Sequence, residues 1–240
     1  LEADDGFPIE GAIIANEVLD ALPVHRVVGG SDWGTILESF VGLDARGRLI
    51  EVTGSPSTTE LARRLDGEGI RLAPGQAAEI CLEIDPWLGS AAGGLRRGLA
   101  VLIDYGHPAI ALYDPGRGSL LRAYTGHRVH DDPLRNIGRQ DLTAHVDLTA
   151  VERAAAAAGL DHLGTTSQSE FLAGLGIADL LVSLQDRPPS ELGAYLEARS
   201  AVVRLLDPAA TGRFAVMLFG RGVAPQPPPR GLSFRLPGRR

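Results

Sequence analysis

Lysine is missing from this chain: all 23 basic residues are arginine. They are scattered, so the absence reads as a GC-rich coding bias rather than a need for guanidinium geometry at so many sites. Cysteine occurs once, at Cys81, which excludes an internal disulfide framework and a thiolate metal cluster and points to a cytoplasmic protein. No apolar run approaches the roughly 20 residues that a membrane-spanning helix needs, so no membrane partner is expected. The first residues, Leu1-Glu2-Ala3-Asp4-Asp5, have neither a basic n-region nor an apolar h-region, and no signal peptide is expected. Positive charge is also in the minority, with 23 basic against 30 acidic residues and a net charge of −7. Phosphate backbones repel such a surface, so nucleic acid is not an expected partner.

What is present is ordinary for a globular protein. The 240 residues are 44% hydrophobic and 22% charged, enough for one large α/β domain or two small ones. Three short apolar runs stand out: Gly11-Ala12-Ile13-Ile14-Ala15, Leu99-Ala100-Val101-Leu102-Ile103 and Phe214-Ala215-Val216-Met217-Leu218-Phe219. Runs of this length fit central strands of a parallel sheet, buried on both faces. The first stops on Asn16-Glu17 and the second on Asp104-Tyr105-Gly106. Between them, Val24 to Val28, Trp33 to Leu43 and Arg48 to Thr53 predict a three-stranded antiparallel meander, part of an insertion over about residues 24–98.

Capping boxes predict helices opening at Ser57 with Glu60, Thr149 with Glu152, and Ser167 with Glu170, the last stopping near Gly174. A longer helix is expected to follow Pro188-Pro189-Ser190 and to end before Pro208. The proline-rich tail over residues 223–240 reads as loose and without regular structure. Strands separated by helices predict a Rossmann-like α/β sheet, in which ligands bind outside the carboxyl ends of the strands. Asn16-Glu17 and Asp104-Tyr105-Gly106 stand at such ends.

Two constellations could carry chemistry there. In Asn16-Glu17-Val18-Leu19-Asp20, a short helical turn would set Asn16 or Glu17 and Asp20 on one face. An amide with two carboxylates suits a cation or a guanidinium; alternatively Asn16 or Asp20 caps the turn and Glu17 is solvated. In an extended stretch, Asp141, Thr143, His145 and Asp147 would share one face. That stripe could wall a substrate pocket, or Asp147 or Thr149 could cap the next helix while His145 bonds backbone. Tyr105 could wall the same pocket as Asp104. His107, His127, His130, Asp131 and Asp132 match no zinc or iron spacing, and no metal is expected.

The segment from Asn16 to Val24 resembles the signature of the MidA family of class I S-adenosylmethionine-dependent methyltransferases, to which a mitochondrial complex I assembly methyltransferase belongs. Further blocks agree in order: Leu102-Ile103-Asp104-Tyr105-Gly106-His107, Leu121-Arg122-Ala123-Tyr124 with His127, Gly138 to Asp147, and Gln168 with Phe171-Leu172. The resemblance runs to about Gly222, so residues 1–222 are expected to form the C-terminal part of a methyltransferase domain. It implies a class I fold, S-adenosylmethionine as cofactor and a protein partner carrying the acceptor arginine. By position and chemistry it implies Glu17 as the main guanidinium ligand, with Asp20 assisting and Asn16 shaping the gap between donor and acceptor, at the edge of the cofactor site. Asp104, Tyr105, Asp141, His145 and Asp147 are the implied substrate-side residues. The family's glycine-rich loop after the first strand and its acidic ribose-binding residue have no counterpart here, because the chain starts just before what resembles the fourth strand. The N-terminal strands of the sheet are therefore expected to be missing from this chain and to be encoded upstream, and this portion alone is expected to be inactive. The rival reading is a non-catalytic module that uses the same fold to grip a partner protein.

Overall fold

The computed structural model describes residues 9–126, 128–185 and 192–235. In chain order the elements are β1 (Ile9–Asn16), β2 (His25–Gly29), β3 (Ile36–Leu43), β4 (Leu49–Gly54), α1 (Glu60–Gly67), β5 (Ala77–Ile80), α2 (Ile84–Gly93) and β6 (Leu95–Asp104). They continue with β7 (Gly106–His107), α3 (Ala109–Leu112), β8 (Arg122–Thr125), β9 (Arg128–His130), β10 (Asp141–Thr143), β11 (Val146–Asp147), α4 (Leu148–Ala157) and β12 (Asp161–Ser167). The last are α5 (Gln168–Leu175), α6 (Ile177–Gln185), α7 (Leu192–Leu206) and β13 (Ala215–Arg221). Two compact units result: Leu1–Asn16, Ala91–Tyr105 and Ala158–Arg240 in one, Glu17–Ser90 and Gly106–Ala157 in the other. Residues 24–90 of the expected insertion thus share a unit with residues 106–157, which the sequence reading kept with the main sheet, while residues 91–98 fall in the first unit.

The first unit is built on a four-stranded sheet in the order β1-β6-β13-β12. β1 and β6 are parallel, whereas β13 runs antiparallel to both β6 and β12. The sheet is therefore mixed rather than parallel throughout. β13 sits between two partners, and its Val216, Met217, Leu218 and Phe219 are all buried, as an uninterrupted apolar run should be in a central strand. β1 is covered on one side only. Among the described residues it pairs only with β6, and Ile14 is 71% exposed.

The tail departs from expectation. A 3-10 turn over Arg230–Leu232 follows the prolines, and Gly231 lies so close to Phe171 of α5 that an added Cβ would sit 2.3 Å from the ring. The run expected to be loose is tied to α5 by that contact; residues 236–240 lie outside the described set.

The second unit carries the predicted meander, enlarged by a strand the sequence did not reveal: its sheet has the order β4-β3-β2-β5 and is antiparallel throughout. Val27, Leu61, Leu65, Leu72, Ile80 and Leu112 form much of its core. A three-stranded sheet β10-β8-β9 and the parallel pair β7-β11 complete it. β7 and β11 approach so closely that a Cβ on Gly106 would lie 2.1 Å from the Val146 carbonyl oxygen, so only glycine fits after Tyr105.

The Ser167 and Glu170 capping box is formed as expected, and α5 ends on Gly176 rather than Gly174, with φ +90°. The other two boxes are not formed. α1 starts at Glu60 without a side-chain cap from Thr59, and Asp147, not Thr149, caps α4, its Oδ1 accepting from the Ala150 amide at 3.1 Å. The expected start of the long helix falls on residues 186–191, outside the described set.

Candidate active site

In the first unit, the carboxyl ends of β1 and β6 lie side by side, with Asn16 in register with Ile103. The next residue, Asp104, is buried; its Oδ1 accepts from the Tyr105 amide at 2.9 Å. The Tyr105 ring is tilted against Phe214, with centroids 5.2 Å apart. An amide, a carboxylate and an aromatic ring thus cluster at strand ends, where open α/β sheets bind ligands.

In the second unit, Glu17 opens the chain with φ +50°, the one non-glycine residue with positive φ among those described. The left-handed region costs an ordinary residue on the order of 1–2 kcal/mol, and such strain gathers at functional sites. The predicted helical turn is absent. A bend at Glu17 is followed by a turn in which the Leu22 amide donates to the Leu19 carbonyl at 3.3 Å, because Glu17 has left the right-handed region. Asp20 is only 5% exposed, and its backbone carbonyl accepts from the Ala144 amide at 2.9 Å.

That bond ties the first constellation to the second. The stripe from Asp141 to Asp147 does not remain a single strand. Asp141 is exposed in β10 opposite Tyr124, Thr143 lines the same cavity as Asp20, and the chain then switches partners into β11. His145 stacks on His107 at 5.6 Å and 25°, and His107 Nε2 accepts from Arg117 at 2.8 Å. Asp147 is buried at the start of α4. Asp20 and Thr143 are therefore brought to one cavity, while Asp147 caps α4. His127 lies outside the described residues. Among the described residues no three His, Cys, Asp or Glu side chains are grouped to hold a metal.

The sequence reading missed two features of this unit. Burial pushes the Glu68 carboxyl up to about 8, and the neighbouring Asp147 carboxylate adds to the rise, against the pull of Arg64 and Arg153. Burial likewise raises the Tyr113 hydroxyl well above its ordinary value, with Asp147 and Glu68 contributing. Glu68 sits between Gly67 and Gly69, a setting that reads as a helix end and carries no local sign of a carboxyl pair. The second feature is a cavity of about 490 Å³. His25 Nδ1 lies 2.7 Å from Glu38 Oε1 at its wall, and Arg26 is ion-paired with Glu51. The predicted meander brings these residues together through the pairing of Arg26 with Ser39, which strand alternation across the hairpin could have signalled.

Among the described residues no glycine-rich loop joins a strand to a helix in the way a dinucleotide or nucleoside cofactor requires. They supply acids and an amide at strand ends but do not by themselves make a complete S-adenosylmethionine site.

Comparison with known proteins agrees with this picture. Residues 1–166 match the family described as "Putative S-adenosyl-L-methionine-dependent methyltransferase". The chain is 32% identical over 233 residues to the protein arginine methyltransferase NDUFAF7 homolog, mitochondrial, of Drosophila melanogaster, covering 92% of this chain and 49% of that protein. It is 31% identical over 170 residues to protein arginine methyltransferase NDUFAF7, mitochondrial, of Xenopus tropicalis, covering 68% and 36%. A crystal structure from Burkholderia thailandensis bound to S-adenosyl-homocysteine superposes with a TM-score of 0.83 at 33% identity, over 95% of this chain and 58% of that one. The chain thus spans about half the length of the curated relatives it matches. With the strand-end acids, the mixed sheet and a family match over residues 1–166, this chain belongs to the MidA-type family of Rossmann-like, S-adenosylmethionine-dependent methyltransferases.

Proposed function

We propose that this chain is the acceptor-binding portion of an enzyme that transfers the methyl group of S-adenosylmethionine to an arginine on a protein partner. The observation that carries the reading is Glu17: a carboxylate held at φ +50° directly after the carboxyl end of β1. The names of the relatives support an arginine acceptor, and a solved relative bound to S-adenosyl-homocysteine supports the donor.

Methyl transfer from a sulfonium is an in-line displacement, and the protein's contribution is alignment. The bound cofactor supplies the electrophilic methyl group. The guanidinium is fully charged at neutral pH, so it must be held by groups that accept its hydrogen bonds and tolerate its charge. Glu17 would take the guanidinium fork, and the buried Asp20 would add a second carboxylate on the same segment. In the first unit, Asn16 would line the cofactor, and Asp104 and Tyr105 at the strand ends would take part in substrate binding. Asp141 and His145 would brace the acceptor side, with Asp147 holding the start of α4 beneath them.

The test is methylation of an arginine-containing protein by the complete gene product, with S-adenosylmethionine bearing a labelled methyl group. Label on arginine supports the reading. Label confined to lysine, to a small molecule or to nucleic acid contradicts it.

A further inference from the structure

The cavity of the second unit asks for an occupant. Its volume of about 490 Å³ falls in the roughly 300–1,000 Å³ range of clefts that enclose ligands, far more than one guanidinium fills. Its apolar lining includes Leu121, Leu134, Leu142, Phe40 and Val41. Several of these are left open to solvent, Phe40 at 37%, Leu142 at 42% and Val41 at 60%. The polar lining is unbalanced. Asp20, Glu38 and Glu51 face a single guanidinium, that of Arg26, which is taken up by Glu51. Among the lining residues the carboxylates outnumber the guanidinium, and His25 stands beside Glu38.

An apolar lining in which carboxylates outnumber the guanidinium complements a cationic segment bearing large apolar side chains, and repels an acidic one. The cavity also begins at Asp20, three residues beyond Glu17 on the same segment of the same unit. We propose that this cavity binds the residues flanking the acceptor arginine of the protein substrate and selects a large apolar neighbour such as leucine. The proposal rests on the arginine reading above and deepens it: Glu17 takes the guanidinium, and the cavity takes the side chain beside it. Recognition is by an extended segment whose apolar anchor enters a pocket, while the carboxylates set the sign of charge allowed nearby.

Three fluorescein-labelled peptides test it, titrated against this chain and followed by fluorescence polarisation: Gly-Leu-Arg-Leu-Gly, Gly-Gly-Arg-Gly-Gly and Gly-Leu-Glu-Leu-Gly. Burial of one leucine side chain should make the first bind about tenfold or more tighter than the second. The third should bind no better than the second. Leu142→Asp should erase the preference for leucine, and Glu51→Gln should narrow the preference for arginine over glutamate. Both are ratios between peptides, which a general loss of folded protein does not shift. Equal affinity for the first two peptides overturns the proposal, as does no binding of any, or a leucine preference that survives in Leu142→Asp. A fall in oligomer mass in Leu142→Asp without a change in peptide preference also overturns it, and assigns the cavity to a second copy of the chain. Methylation of the same arginine peptides by the complete gene product separates the two readings. Transfer without leucine preference retains the acceptor chemistry and removes the cavity from it. Leucine-selective, arginine-selective binding without transfer retains the cavity and removes the chemistry.

Discussion

Glu17 combines an unfavourable backbone with an exposed carboxylate, and the two properties can be separated by substitution. Glycine adopts positive φ without strain, so Glu17→Gly should raise the stability of the fold by about 1 kcal/mol while removing the acceptor ligand. Equilibrium urea unfolding beside a methylation assay would register both changes; a variant that lost stability would mean that the Glu17 side chain stabilises the bend by more than the strain costs. Glu68 offers a contrasting case. Its carboxyl titrates at about 8 in the fold against an ordinary value of 4.5. Between those values the folded chain keeps a proton that the unfolded chain has released, so this group's contribution to stability falls as the pH rises from about 4.5 to 8. Glu68→Gln keeps a donor toward Asp147 without the charge. It should flatten that decline and stabilise the protein most near pH 8, as thermal melts from pH 5 to 9 would reveal. Parallel melting curves at every pH would show that Glu68 is not raised. Glu17 was legible in the sequence as a polar end to an apolar strand; the Glu68 and Asp147 pair was not, because the two residues, 79 positions apart, meet only through tertiary packing.

Capping boxes illustrate at the level of elements what local sequence can settle. The Ser167 and Glu170 box forms between near neighbours, Ser167 Oγ accepting from the Glu170 amide and Glu170 Oε2 accepting from the Ser167 amide and from Thr166 Oγ1. Ser57 has its amide taken by Glu38 at 2.5 Å, and Thr149 Oγ1 accepts from Ala109 at 2.9 Å. Both are recruited by partners far along the chain, which no local pattern reveals. Ser167→Ala should therefore cost about 0.5–2 kcal/mol in chemical denaturation, and no measurable change would mean that the box adds nothing to the fold. The same distinction explains the strands. β13 was legible as an apolar run because its burial is continuous, and β6 because no residue from Leu99 to Ile103 is exposed. β5 and β7 to β11 are two to four residues long and owe their pairing to distant neighbours rather than to any pattern of their own.

At the scale of the whole molecule, the proposed acceptor ligands lie within this chain. The described residues hold no glycine-rich strand–loop–helix unit, and the chain spans about half the length of the curated relatives it matches. Calorimetry on these 240 residues should therefore give weak or undetectable binding of S-adenosylmethionine, and micromolar affinity would mean that the strand ends suffice to hold it. On the acceptor side, the central proposal is that Glu17 holds the guanidinium. Its most direct test is single-turnover methylation of an arginine-containing acceptor by the complete gene product and its Glu17→Gln variant, with cofactor affinity measured beside it. Loss of a charge-assisted hydrogen bond of about 1.5–3 kcal/mol should slow transfer about ten- to a hundredfold and leave cofactor binding unchanged. Unchanged transfer in Glu17→Gln, or lost cofactor binding in a folded variant, would contradict it.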